Sequence, residues 1–119
     1  MGDWLDASEQ AFMNFEIAPV YEAFIQTIED NQSPLTGDVP FKVPAGQHYG
    51  NISCEDIAWT SAYPQITSML YQYYGDTKTL ERRYSSLVRY IENLISHAYS
   101  VTSNAHAGLA VCDNFRDWL

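Results

Sequence analysis

Apolar residues recur every three or four positions across much of this chain, and the clearest run lies in its second half. Leu80, Tyr84, Leu87, Val88, Ile91, Leu94 and Ile95 make one helical stripe, while Glu81, Arg82, Ser85, Arg89, Glu92 and Asn93 form a face expected to meet water. Asp76 precedes the run, placed to accept from the first backbone N–H groups and to meet the positive end of the helix dipole. A second stripe, Ala62, Ile66, Met69, Leu70 and Tyr73, predicts a helix starting near Thr60 or Ser61, with Pro64 in its opening turn, where no N–H is missed. The turn Tyr74-Gly75-Asp76 forces the two helices side by side and antiparallel, so 56–99 reads as a helical hairpin.

Ahead of the hairpin, Ala11, Phe12, Phe15, Ala18, Tyr21, Phe24, Ile25 and Ile28 keep roughly helical spacing over 7–29, with Ser8 or Asp6 as the N-cap. Pro19 interrupts it, because a proline inside a helix removes a hydrogen bond and clashes with the preceding turn. The sequence predicts a kink near Ile17 or a break into two pieces, and leaves both open. Residues 1–6 show no helical period. Residues 30–58 form a long connection in which Pro34, Pro40, Pro44, Gly37, Gly46 and Gly50 exclude a continuous helix. Its aromatic and β-branched residues favour an ordered loop laid over a surface. Residues 100–108 read as a loop and 109–119 as extended or irregular. The fold class is all-α.

Composition narrows the function. A chain of 119 residues is one domain or part of one. Fifteen acidic against six basic residues give a net charge of −9, a surface that repels phosphate backbones and anionic lipid, so neither nucleic acid nor membrane is an expected partner. No run of apolar residues is long enough to span a bilayer and no export signal is present, so a soluble chain is expected. Cys54 and Cys112 lack C-x-x-C spacing and read as reduced thiols. With His48, His97 and His106 they make no ligand pattern, so neither a metal nor a cofactor is expected.

Candidate chemistry is sparse. No nucleophile elbow, phosphate loop, dinucleotide fingerprint or metalloprotease helix occurs. Nine tyrosines, five phenylalanines and three tryptophans serve either helix packing or a ring-binding surface. What recurs is aspartate beside tryptophan: Asp3-Trp4, Asp56 with Trp59, and Asp117-Trp118. A carboxylate accepts from neighbouring sugar hydroxyls, and an indole face stacks on the C–H face of a sugar ring.

The order and spacing of several short motifs carry a resemblance. Gly2-Asp3 looks like the end of a segment E-R-x-G-W-x-G-D, and Phe12–Gln32 resembles the helix that follows it, with its D-x-Q turn. Gly37-Asp38-Val39-Pro40 looks like a G-x-V-P loop, Ala58–Ala62 a W-G-D-A-like stretch, Tyr73–Asp76 with Tyr84–Tyr90 a Y-x-x-Y-G-D hairpin, and Asp117–Leu119 the motif G-D-W-L. End to end, the chain resembles an internal stretch of the catalytic domain of bacterial α-L-rhamnosidases, glycoside hydrolase family 78. The match departs at Arg116, where the family has Gly, and at Thr60-Ser61, which replaces Gly-Asp.

The resemblance implies an (α/α)6 barrel of six helical hairpins, of which residues 1–119 would be a single segment of roughly two hairpins. It implies hydrolysis of terminal α-L-rhamnosides with inversion, by a carboxylic acid and a carboxylate base ~6.5–9.5 Å apart with water between them. In the family the acid precedes G-W-x-G-D and the base comes much later, so neither is expected within this chain, which alone should be inactive. By carry-over, Asp3 binds a sugar hydroxyl, Asp117 joins it, and Trp59 and Trp118 form the walls. The expected partner of the parent enzyme is carbohydrate. The competing expectation is a non-catalytic helical interaction module that self-associates through uncovered helix faces. A third is a related (α/α)6 enzyme acting on another sugar.

Overall fold

The computed structural model describes residues 1–44 and 57–100, all of whose regular elements are helices. They are α1 (Gly2–Asp6), α2 (Ser8–Asn14), α3 (Ala18–Asp30), α4 (Ile57–Thr60), α5 (Ala62–Tyr74) and α6 (Thr77–Ser100). The expectations for 45–56 and 101–119 lie outside the described residues.

The hairpin forms as its sequence predicts. Ser61 is the N-cap residue of α5, Pro64 falls in its first turn, and Gly75 ends it in the left-handed conformation at φ 66°. The Asp76 carboxylate accepts from the Thr79 N–H at 3.0 Å, opening α6. Burial disfavours that carboxylate, but bonds from the Thr79 side chain and backbone, the Arg82 charge and the Lys78 N–H outweigh it and hold its pKa below the usual range.

The N-terminal half departs from the expectation at residues 1–6 and at the cap of α2, and takes one of the two outcomes left open at Pro19. Gly2–Asp6 is helical, a single turn too short to show a period. Pro19 produces a break instead of a kink: α2 ends at Phe15 in an extended conformation, and α3 restarts with Pro19 in its first turn. Neither Ser8 nor Asp6 caps α2. The capping residue is Ala7, without a side-chain bond, and the buried Ser8 hydroxyl donates back to the Leu5 carbonyl at 2.6 Å.

Tyr21, Phe24, Ile25 and Ile28 of α3 pack with Ala62, Tyr63, Ile66 and Leu70 of α5 into one core, which Phe12 and Val39 extend. Full burial of each large aliphatic side chain there contributes about 1.5–3 kcal/mol. Tyr73, expected on the α5 stripe, is exposed; its ring stacks on Phe12 and its hydroxyl donates to Glu9.

The third long helix is the main correction. Among the described residues, the buried positions of α6 are Thr79, Arg83, Ser86, Tyr90, Asn93 and Ala98, including Asn93, which was expected in water. Tyr84, Ile91 and Ile95 of the apolar stripe are 66%, 41% and 51% exposed. The helix is thus turned by roughly a third of a revolution from the predicted orientation. Glu29 of α3 supplies the reason. It pairs with the Arg83 guanidinium and accepts from Ser86 at 2.8 Å, while Ser86 accepts from the buried Tyr63 hydroxyl at 2.6 Å. Arg83 also donates to Gln26 at 2.9 Å. Only Leu87 and Leu94 of the apolar stripe join the margin of the core.

Residues 31–44 bear out the ordered loop as far as they are described. The Gln32 amide donates to the Gly37 carbonyl at 2.7 Å and to the Ser86 carbonyl at 2.9 Å, and its oxygen accepts from Arg89 at 2.9 Å. Val39, Pro40 and Phe41 of the loop are buried. The loop is thereby fastened to the middle of α6.

Candidate functional site

Of the four residues nominated from sequence, Asp3 and Trp59 are described and Asp117 and Trp118 lie outside the described residues. Asp3 sits in the first turn of α1 with its side chain exposed. Trp59 is half-buried on α4.

Gly2 joins these two elements. A Cβ built on Gly2 would lie 3.0–3.3 Å from three carbons of the Trp59 indole. The backbone beside Asp3 therefore rests on an indole face, at a distance that a larger residue would disturb. The same corner is tied down by the Met1 backbone nitrogen, which donates to the Phe41 carbonyl at 2.9 Å. Residues 1–2, Trp59 of α4 and Phe41 thus meet at one corner.

Beneath Trp59 lies a buried polar group that sequence reasoning missed. Thr60 is fully buried, and its hydroxyl lies 2.8 Å from the Tyr90 hydroxyl of α6, which is also fully buried. Burial pushes the Tyr90 phenol up to about 12; the Thr60 hydrogen bond opposes the rise and the Asp38 carboxylate adds to it. The hydroxyl therefore stays protonated at any physiological pH. Asp38 is 7% exposed and accepts from the Val39 N–H at 3.0 Å. One turn beyond Tyr90, the buried amide nitrogen of Asn93 has no hydrogen-bond partner among the described residues. A signal for this group was present: Arg83, Ser86, Tyr90, Asn93 and His97 share a helical spacing, so Tyr90 is an aromatic set in a polar stripe.

Trp4, beside Asp3 in the motif, does not pair with Trp59. It stacks on Phe24 at 4.6 Å and meets Tyr21 edge-on at 5.6 Å, remaining 43% exposed. It closes the edge of the core beside α1.

Chemically, the corner offers an indole and an exposed carboxylate on the adjoining helix turn, above a buried pair of hydroxyl groups that bond each other. Such a set suits a polyhydroxylated ring, whose hydroxyls donate to a carboxylate while its C–H face lies on an aromatic. Glu29 is committed to Arg83 and Ser86. Among the described residues no three His, Cys, Asp or Glu side chains group as a metal site, and no helix is long and apolar enough to cross a membrane.

Comparison with known proteins supplies one match. The model of the bacterial alpha-L-rhamnosidase 6 hairpin glycosidase domain matches residues 1–119, the whole chain. No curated protein and no solved structure gives a significant match.

Proposed function

Because the chain belongs to the bacterial alpha-L-rhamnosidase six-hairpin glycosidase domain family, we propose that it forms part of an inverting α-L-rhamnosidase and supplies sugar-binding residues to it. The family is one of glycosidases, so the substrate of the parent enzyme is a carbohydrate. In this reading the Asp3 carboxylate accepts from a rhamnose hydroxyl and the Trp59 indole bears the apolar face of the ring. Asp117 and Trp118 complete the wall. The acid and base of the inverting pair lie outside these 119 residues, and the chain alone releases no rhamnose from an aryl rhamnoside.

The observation that supports the reading is the contact of Gly2 with the Trp59 indole, which brings Asp3, near the start of the sequence, to one corner with Trp59, at its middle. Titration with L-rhamnose, followed by tryptophan emission, tests it. Replacing Trp59 by Ala or Asp3 by Asn should weaken binding at least tenfold, which corresponds to about 1.4 kcal/mol. Binding that is unchanged in both variants refutes the assignment.

The second reading, a non-catalytic module that self-associates, draws on the exposure of Tyr84, Ile91 and Ile95 along one side of α6. An apolar helix face left open invites a second helix. In a six-hairpin domain the neighbouring hairpin takes that place, and in isolation another copy does so.

A further inference from the structure

Trp59 is carried by α4, a helix of four residues, too short to hold an orientation by its own hydrogen bonds. Whatever fixes the indole must come from outside that helix. Contact with Gly2 is one restraint. Another runs through the next residue, Thr60, whose hydroxyl is bonded to Tyr90 at 2.8 Å. Tyr90 is an anchored partner. It is fully buried and meets the Tyr63 ring edge-on at 6.2 Å, and Tyr63 is fixed in turn by its 2.6 Å bond to Ser86. Ser86 then donates to Glu29 of α3 at 2.8 Å.

We infer that the Tyr90 and Thr60 hydroxyls form a positioning pair, which transmits the rigidity of the three-helix core to α4 and sets the angle of the Trp59 indole at the sugar site. The inference rests on the reading of Trp59 as a wall of that site. Neither Tyr90 nor Thr60 touches sugar in this account, since both are fully buried; they act through the indole. The residue types suit the role. A phenol and a β-branched alcohol are stiff, and a bond between two buried hydroxyls has no water to exchange with.

The test uses the full 119-residue chain, labelled with 15N, and reads its indole N–H resonances, that of Trp59 being assigned by its loss in W59F. Tyr90→Phe removes one oxygen and leaves the ring; Thr60→Val removes the other hydroxyl at nearly constant shape; Thr60→Ser keeps it. The Trp59 resonance should shift or broaden in Y90F and T60V, stay near its wild-type position in T60S, and leave Trp4 unmoved in all three. L-rhamnose affinity should fall about three- to tenfold in Y90F and T60V, as expected for one lost hydrogen bond, and recover in T60S. An unmoved Trp59 resonance in folded Y90F and T60V overturns the inference, as does loss of the helical far-ultraviolet signal in both. Rhamnose binding to the wild type that Y90F leaves unaltered also overturns it, while sparing the sugar-site reading. A Trp59 resonance that moves in the variants but never responds to rhamnose does the reverse: the positioning pair stands and the sugar site falls.

Discussion

At the scale of single residues, two glycines show what a sequence reveals and what it hides. Gly75 stands between two helical patterns, so its left-handed turn was legible from its neighbours alone. Gly37 was legible only as a loop breaker. Its φ is +81°, and a Cβ there would lie 2.6 Å from the backbone oxygen of Arg89, a residue on a different element. No local pattern announces that partner. The two should therefore respond differently to alanine. Nothing lies within 4 Å of a Cβ at Gly75, so G75A is expected to cost about 1 kcal/mol from the backbone conformation alone. G37A adds a collision with backbone to the same strain and should cost about 2–3 kcal/mol. Urea denaturation of both variants measures the difference, and equal losses would contradict the docked loop. The same limit hid the candidate site. Asp3 and Trp59 were each marked by their neighbours, whereas the Gly2 contact that joins them is a fact of three dimensions.

At the scale of elements, helix existence was legible and helix orientation was not. The α6 pattern identified its length and its apolar stripe. Which side turns inward depends on what the neighbours present, and α3 presents the Glu29 carboxylate. Arg83 has a side chain only 3% exposed, so its charge needs that partner. Tyr63, Ser86 and Gln26 complete the set, and together they outweigh the attraction of Tyr84, Ile91 and Ile95 for the core. Glu29→Gln should leave Arg83 buried without its counter-charge and destabilise the chain by about 3 kcal/mol. Replacing both Glu29 and Arg83 by Met removes the orphan charge with the pair and should cost less than E29Q alone. Thermal melts of the two variants decide it; a double variant less stable than E29Q would show that the ion pair itself stabilises the helix contact. The break at Pro19 is a milder case. The residue was legible as a disturbance, but its neighbours in sequence left kink and break equally open.

At the scale of the whole molecule, an all-helical chain with one polar seam and one open apolar side is suited to an arc of a larger ring. The inner seam ties Arg83 and Ser86 to Glu29 of α3, and the outer stripe of α6 is available to the next hairpin. Isolated, the chain should self-associate, and light scattering behind size exclusion should give more than a monomer mass. I91E with I95E should return the monomer, because two carboxylates on that stripe repel a second copy. A monomeric wild type would instead mean that the stripe is covered within the chain. The most direct test of the central claim, that Asp3 and Trp59 border one sugar site, is an intermolecular nuclear Overhauser measurement on the chain saturated with L-rhamnose. The account predicts contacts from the ring C–H protons of rhamnose to the Trp59 indole, lost in D3N. Contacts confined to Trp4 or to the open stripe of α6, with none at Trp59, would contradict it.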